Sequence, residues 1–423
     1  NWEVGVHIAD VSYYVKRKSA LDKEAQARCN STYFPGTCIP MLPHELSDHL
    51  CSLRPDVYRL TVSVLIDFDP QGNLISSKVI RSYIKSSKRF SYEEAKEVLE
   101  GKKESPHHSL LQLMVELALL LKKKRQERGS IDFSLPELVI HIDEKGNPTG
   151  TKIVEYDITH QLVEEYMLKA NEVVARTLEE RKKPVVFRIH EHPDKEAMED
   201  FYNLARSYGF SLGKAPTQQE VQQLFQKAQS SPYATQLSVS FIRSMKLAYY
   251  SAENVGHFGL ALEHYCHFTS PIRRYTDLII QRLLFNEEGE DLSLEKIALH
   301  CSDQERVSFK AENSVKNLKK LRLLDHWFKQ DPHRAYEGII TKVKPFGIFF
   351  DIPTIMLEGF LHVSDLEDDY FIFNPHLSTF TGRATGKVHK TGEKLSVRPL
   401  AIDLILLESQ WELIKPIKSG RKK

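Results

Sequence analysis

The run Glu263-His264-Tyr265-Cys266-His267-Phe268-Thr269-Ser270-Pro271-Ile272-Arg273-Arg274-Tyr275-Thr276-Asp277 constrains the fold most. It sets aromatic, hydroxyl and paired arginine groups directly ahead of an apolar helical stripe, Leu278, Ile279, Leu283 and Leu284. Ser270 before Pro271 predicts a helix start, since serine accepts an early helical amide and proline has its φ already set for the first turn. Arg273 and Arg274 then fall in that first turn, beside free N–H groups at the positive end of the helix dipole, which makes an anion site. A guanidinium fork suits phosphate oxygens, and Tyr265, His267, Phe268 and Tyr275 offer faces on which bases could stack. An arginine pair bonding neighbouring carboxylates, with the aromatics as core, explains the pattern about equally well. Adjacent helical residues diverge, so one arginine of the two is expected to face a ligand.

Composition narrows the class without deciding it. With 423 residues, 41% hydrophobic and 27% charged, the chain can bury a large core and a second domain. Lys plus Arg at 58 against Asp plus Glu at 57 gives a formal charge of +1, so a nucleic-acid binder of this balance must segregate its charge. The basic runs Lys122 to Arg125, Lys316 to Arg322 and the tail from Lys415 to Lys423 each read first as a solvated helix face or a frayed end. Cys29, Cys38, Cys51, Cys266 and Cys301 form an odd set without CxxC or zinc-ligand spacing, which points to reduced thiols in a cytoplasm. No apolar run is long enough to span a membrane. The chain opens on Asn1 rather than methionine, directly into the strand-like run Trp2 to Ala9, and a fragment of a longer chain is expected.

Helical periodicity runs over Tyr92 to Leu99, Leu110 to Arg128, where Gly129 stops it, and Gln161 to Arg181. Pro184 to His190 reads as a short buried strand, and Pro193-Asp194 as the next helix start. Asp67 and Asp69 flank a hairpin turn at Pro70-Gln71-Gly72-Asn73. From about His333 the pattern changes to short strands and turns.

The segment from His257-Phe258-Gly259-Leu260 through Thr269 to Tyr275, Asp277 and Gln281 resembles the signature of the RNase II/RNase R (RNB) family of exoribonucleases. So do Val6-His7-Ile8-Ala9-Asp10-Val11-Ser12, Asn30 to Pro35, Ile39 to Pro43, Leu50 to Leu53 and Phe187-Arg188-Ile189-His190-Glu191, in the family's order up to about Phe328. Within the family the wording is more similar to bacterial RNase R than to the eukaryotic exosome relatives. The resemblance implies an α+β catalytic RNB domain over residues 1–330, and a processive hydrolase that degrades single-stranded RNA from the 3′ end to nucleoside 5′-monophosphates. The expected substrates are single-stranded RNA and structured RNA with a 3′ overhang, and a cytoplasmic monomer is expected. The alternative is a catalytically inactive relative that binds RNA and regulates its use.

The resemblance also assigns residues. Arg273 falls on the arginine that contacts the phosphate, Tyr33 on a tyrosine near the scissile end, and Phe133 on an aromatic that stacks on terminal bases. Glu312 matches a later glutamate, with Glu305 as its rival. On the residues alone, Tyr33 and Phe133 would be core aromatics and Glu312 a solvated helix residue. Arg188 and His190 could face RNA, although a histidine at a strand end is more often a satisfied structural group. Magnesium is the implied cofactor, held in the family by an aspartate cluster that lies shortly before the strand with which this chain opens, so the main metal ligands are expected upstream of Asn1. Asp10 is a candidate ligand here, though a structural hydrogen-bond acceptor first.

Residues 334–414 resemble an OB-fold RNA-binding domain of the kind repeated in a large ribosomal protein, a small all-β barrel, and 415–423 form a basic tail. Its first three strands are expected at Ala335 to Val343, Phe346 to Asp351 and Glu358 to Ser364, with later ones near Gly382 to Val388 and Leu395 to Leu406. Phe346, Phe349, Phe360 and His362 are the candidate stacking residues, of which about half are expected inside the barrel. A basic face is sought at Lys342, Lys344, Arg383 and Lys387.

Overall fold

A computed structural model describes residues 1–131, 137–213, 216–228, 231, 233–288, 293–366, 369–375 and 377–414. The opening strand Trp2–Ala9 pairs antiparallel with Tyr58–Phe68, which pairs in turn with Leu74–Lys85. On the middle strand Val62, Val64, Ile66 and Phe68 all point one way and are fully buried, the two-residue period of a sheet with one face on a core. Asp69 closes the expected turn by accepting the Gln71 and Asn73 amides.

Against this sheet pack the helices His108–Glu127 and Ile158–Glu180, which insert Leu117, Ala118, Leu121, Leu162, Ala170, Val174 and Leu178 into one continuous core. The helix Tyr275–Leu284 is buried along its whole length, and Leu278, Ile279 and Ile280 join the same core. Three further helices, Lys195–Ser207, Gln218–Ala228 and Ala234–Ser244, build a separate small core around Phe201, Leu224 and Phe241.

The start of the buried helix departs from the sequence-based expectation. It begins at Tyr275 rather than at Pro271, and its preceding residue Arg274 is extended, with φ −138° and ψ 124°. Ser270 opens only a turn, its carbonyl accepting the Arg273 and Arg274 amides. The cause is tertiary: Arg274 pairs with Asn30 across an antiparallel bridge, the Arg273 carbonyl accepts the Ser31 amide at 3.1 Å, and the Cys29 carbonyl accepts the Tyr275 amide at 2.8 Å. The two backbone hydrogen bonds of this bridge outweigh a local capping preference of about 1 kcal/mol. Arg273 and Arg274 therefore lie outside the helix, not in its first turn.

The second unit is an OB-fold barrel of the strands Tyr336–Lys344, Gly347–Ile352, Leu357–His362, Lys394–Asp403 and Glu408–Leu413, with the first strand central and the third and fifth at the edges. The first three lie within two residues of their expected bounds. The region expected as one strand at Gly382 to Val388 is instead two short strands, Thr379–Gly382 and Val388–His389, joined by a turn, and Glu408–Leu413 carries no expectation. The long helix Leu294–Gln330 joins the units, and its last turns belong to the barrel: Leu321, Leu323, Leu324 and Trp327 pack with Phe350, Leu361 and Trp411. No helix among the described residues is long and apolar enough to cross a membrane.

Candidate active site and nucleic-acid interface

The backbone pairing that displaces the helix start also builds the site, because it places residues 29–33 beside residues 273–275. From there the chain enters a tight hairpin, Thr32–Phe34 with Thr37–Ile39, whose turn glycine Gly36 has φ +76°. A Cβ at Gly36 would sit 1.9 Å from Ile142 Cδ1, so only glycine permits both the turn and the close approach of the neighbouring hairpin Glu137–Ile142 with Pro148–Val154. The long helix holds the hairpin from the other side. Ser308 bonds the Thr32 hydroxyl at 3.1 Å, and Glu312 Oε1 accepts the Tyr33 amide at 2.7 Å.

Tyr33, Arg273 and Glu312, separated by up to 279 residues in sequence, thus converge. Tyr33 is 45% exposed. Partial burial raises its phenol pKa, with the positive charge of Arg273 working against the rise, which places the two side chains in one electrostatic environment. The Arg273 side chain is exposed and takes part in no hydrogen bond or close ion pair among the described residues. Its neighbour Arg274 does the opposite. Asp277, fully buried, receives Arg274 Nε at 2.9 Å and Nη2 at 2.8 Å, and also the Ser270 amide at 2.7 Å. The carboxylate-bonding reading therefore holds for Arg274, the exposed reading for Arg273, and Arg274 is not free to bind RNA.

Tyr275 is likewise withdrawn from the nucleic-acid contacts. It is 2% exposed and donates its phenol hydrogen to Asp22 at 2.9 Å, so neither ring face is open to a base. Asp22 in turn pairs with the buried Arg282. His190 is buried, its Nδ1 accepting the Gly259 amide at 3.1 Å and its ring edge-on to His257, while its Nε2 is buried without a hydrogen-bond partner among the described residues. Arg188 is half-buried, pinned to Glu305 at 2.6 Å and stacked 4.7 Å over the Tyr250 ring. Glu305 is thereby paired with Arg188, whereas Glu312 accepts the Tyr33 amide.

His267 bonds the Tyr250 hydroxyl at 2.9 Å. Burial, reinforced by Arg274 and Arg188, holds its pKa well below the usual histidine value. His257 is pushed down to about 3 by burial, with His190 and Arg188 adding to the effect, and burial lowers His190 as well. These imidazoles are neutral at physiological pH, hydrogen-bonding groups rather than phosphate-binding cations. Phe133 lies outside the described residues. Its approach, Gly129-Ser130, is locked by Ser130, which accepts from Arg125 in the buried Arg125–Glu165 ion pair.

Asp10 is fully engaged. It caps a short helix through the Tyr13 amide, accepts the Ser12 hydroxyl at 2.6 Å and pairs with Arg81 at 2.8 Å, so its carboxylate serves three protein donors. Among the described residues no group of three or more His, Cys, Asp or Glu side chains could hold a metal ion. The carboxylates around Tyr33 and Arg273 do not fit a divalent cation as a set, because Glu312 and Asp277 are each committed to a protein donor. The aspartate ligands expected upstream of Asn1 lie outside the described residues.

On the barrel all four candidate stacking residues lie on one outer face, where half were expected inside. The register explains this: Phe349 opposes Phe360 and Gly347 opposes His362, while Ile348, Phe350, Ile352 and Leu361 point inward and are buried. Phe349 and Phe360 have ring centroids 4.9 Å apart, Phe346 lies 5.9 Å from Phe360, and Phe360 6.5 Å from His362. Gly347 makes room for the platform, since a Cβ there would lie 2.7 Å from the Phe360 ring. Beside it runs an open groove of about 660 Å³ lined by Phe349, Phe360, His362, Gln410 and Trp411. Lys342 sits 5.3 Å over the Phe349 ring.

Sequence reasoning passed over Asn171, Tyr250 and Asp22 as site-building residues. Asn171 receives the Phe268 amide at 2.9 Å and donates to the Tyr265 hydroxyl, holding the signature segment against the helix Ile158–Glu180. An asparagine within that helix's apolar face was the available signal; Tyr250 and Asp22 carried none.

The RNB domain model matches residues 1–287. The chain belongs to the RNB domain family. It is 40% identical over 427 residues to Ribonuclease R of Chlamydia trachomatis serovar D, covering all of this chain and 61% of that protein, and 38% identical to Ribonuclease R of Aquifex aeolicus, again over 61% of its length. This RNB chain thus spans about three-fifths of those relatives. It superposes on the apo form of Mycoplasma genitalium RNase R with a TM-score of 0.89 and 31% identity, covering 97% of this chain and 67% of the other.

Proposed function

We propose that the full-length protein is a 3′→5′ hydrolytic exoribonuclease of the RNase R kind, degrading single-stranded RNA processively to nucleoside 5′-monophosphates. The observation that carries this reading is the convergence of Tyr33, Arg273 and Glu312, with Arg273 exposed and without a hydrogen-bond or ion-pair partner among the described residues, while Arg274 and Arg188 are paired to Asp277 and Glu305. A guanidinium so placed offers two parallel hydrogen bonds to a phosphate and offsets negative charge building there during bond cleavage. Tyr33 orients the terminal nucleotide through its hydroxyl, and Glu312 sets the Tyr33 main chain. Phe133 would stack on terminal bases without regard to sequence. The barrel face of Phe346, Phe349, Phe360 and His362 holds the strand further along, with Lys342 over the Phe349 ring. The solved Mycoplasma genitalium RNase R complexes with single-stranded and double-stranded RNA support RNA as the ligand class.

Magnesium is the proposed cofactor and would supply phosphate polarisation and an activated water. The described carboxylates do not fit it as a set, and the proposed ligands are the aspartates expected upstream of Asn1 in the full-length protein. In domain terms we assign residues 1–330 to catalysis, 334–414 to RNA binding and 415–423 to a basic tail, in a cytoplasmic monomer. The test is incubation of the full-length protein with 3′-overhang RNA, with and without magnesium. Stepwise shortening to monophosphates only with magnesium is expected. Binding without cleavage would favour a regulatory RNA binder, and nucleoside diphosphates would indicate phosphorolysis.

A further inference from the structure

Among the five cysteines, two that stand 272 residues apart in sequence touch. Cys301 donates its S–H to Cys29 Sγ across 3.4 Å, and Cys29 donates to the Gln26 carbonyl at 3.0 Å. Both are buried. Cys29 is the last residue before the segment Asn30–Tyr33, and Cys301 lies one turn before Glu305 on the helix that carries Ser308 and Glu312. The pair therefore sits directly behind the contacts that position Tyr33.

We propose that Cys29 and Cys301 are a reversible thiol–disulfide modification site, closed by a peroxide-class two-electron oxidant, whose closure disables the adjoining Tyr33–Arg273 site. The two thiols lose two protons and two electrons, one S–S bond forms, and hydrogen peroxide is reduced to two waters. Thiol exchange with a small dithiol reverses it. The sulfurs must approach from 3.4 Å to about 2.05 Å, a closure shared between rotation of the two side chains and small shifts of the segments that carry them. Residues 29–33 are tied to residues 273–275 by the Ser31 and Tyr275 amides, and to the long helix through Thr32 and Tyr33, so any part of the closure that reaches the backbone shifts the register between Tyr33 and Arg273. Misplacement of reacting groups by about 1 Å costs up to 100-fold in rate. At rest the pair is sluggish: the hydrogen bond to Cys29 and burial both raise the Cys301 pKa, so closure follows local opening and not direct attack on an exposed thiolate.

The effect on activity rests on the proposed function; the chemical site does not. The experiment treats full-length protein with hydrogen peroxide, or with diamide as the two-electron oxidant, then alkylates, maps peptides and assays 3′-overhang RNA hydrolysis. A Cys29–Cys301 linked peptide about 2 Da lighter than its reduced pair is expected. A fall in hydrolysis of at least about 10-fold that dithiothreitol reverses is expected with it. Cys38→Ser should respond as the parent does, and Cys29→Ser or Cys301→Ala should not respond; either of the two suffices if the other fails to fold. Absence of the linked peptide, a link through Cys38, or a complete link with unchanged hydrolysis each overturns the proposal. Reduced protein that does not hydrolyse RNA refutes the proposed function instead, and the peptide map still decides the site.

Discussion

Replacing Asp277 by Ala should destabilise the RNB core more than any loss at the exposed arginine beside it. Asp277 is fully buried and accepts four hydrogen bonds, from the Ser270 amide, Arg274 Nε, Arg274 Nη2 and the Thr276 hydroxyl. Removing the carboxylate leaves the Arg274 guanidinium buried beside Tyr250 and Tyr265 without a counter-charge, a change that typically costs about 3–5 kcal/mol. It also frees the Ser270 amide, which adds about 1–3 kcal/mol where no water replaces the lost acceptor. Urea unfolding followed by intrinsic fluorescence measures the sum as a fall in the midpoint of the core transition. The double variant Asp277→Leu with Arg274→Met removes both charges and should recover more than half of the loss, because the cost lies in the orphaned charge and not in the pair's net attraction. A single-variant loss below about 1 kcal/mol would refute the assignment of Arg274 to a structural role. A double variant no better than the single would refute the electrostatic explanation.

Arg273→Gln should leave the unfolding free energy within about 0.5 kcal/mol of the parent, as expected for an exposed group without a partner among the described residues, while lowering RNA hydrolysis by about 10²-fold or more. Parallel unfolding and product-release assays separate the two effects. Phe360→Ala should weaken single-stranded RNA binding by about 1–3 kcal/mol in a titration at fixed salt. Phe350→Ala, one layer inside, should instead unfold the barrel at a cost of about 3–5 kcal/mol. Acidification should destabilise the fold below the unfolded histidine pKa of about 6.5. His257 and His267 stay neutral when folded and burial lowers His190 as well, so the unfolded state takes up protons that the folded state refuses, and each of the first two contributes up to about 1.4 kcal/mol of lost stability per pH unit. Unfolding midpoints at pH 7.5 and 5.5 check this, and a flat profile would place these histidines in water.

Much of the barrel was legible, because alternation along Tyr336–Lys344, Gly347–Ile352 and Leu357–His362 is a local pattern that the pleat converts directly into an inside and an outside. The side on which each aromatic falls was less so. Phe349 and Phe350 are adjacent and equally apolar, and only the pairing of Phe349 with Phe360 assigns one to the platform and the other to the core. The helices His108–Glu127 and Ile158–Glu180 were readable for the same local reason, periodicity that needs no partner to be seen.

By itself, the sequence determined which residue types could meet a phosphate and a base: Arg273, Arg274, Tyr33, Tyr275, Glu312 and the aromatics of the barrel. Only the tertiary structure decided among them. A bridge from Asn30 to Arg274 and a buried carboxylate at Asp277 made one arginine structural and left the other free, and a hydrogen bond to Asp22 made Tyr275 core. The physical reason is that a side chain's chemistry is carried by its own atoms, whereas its availability depends on charges and donors supplied by segments up to 279 residues distant, whose positions no local pattern records.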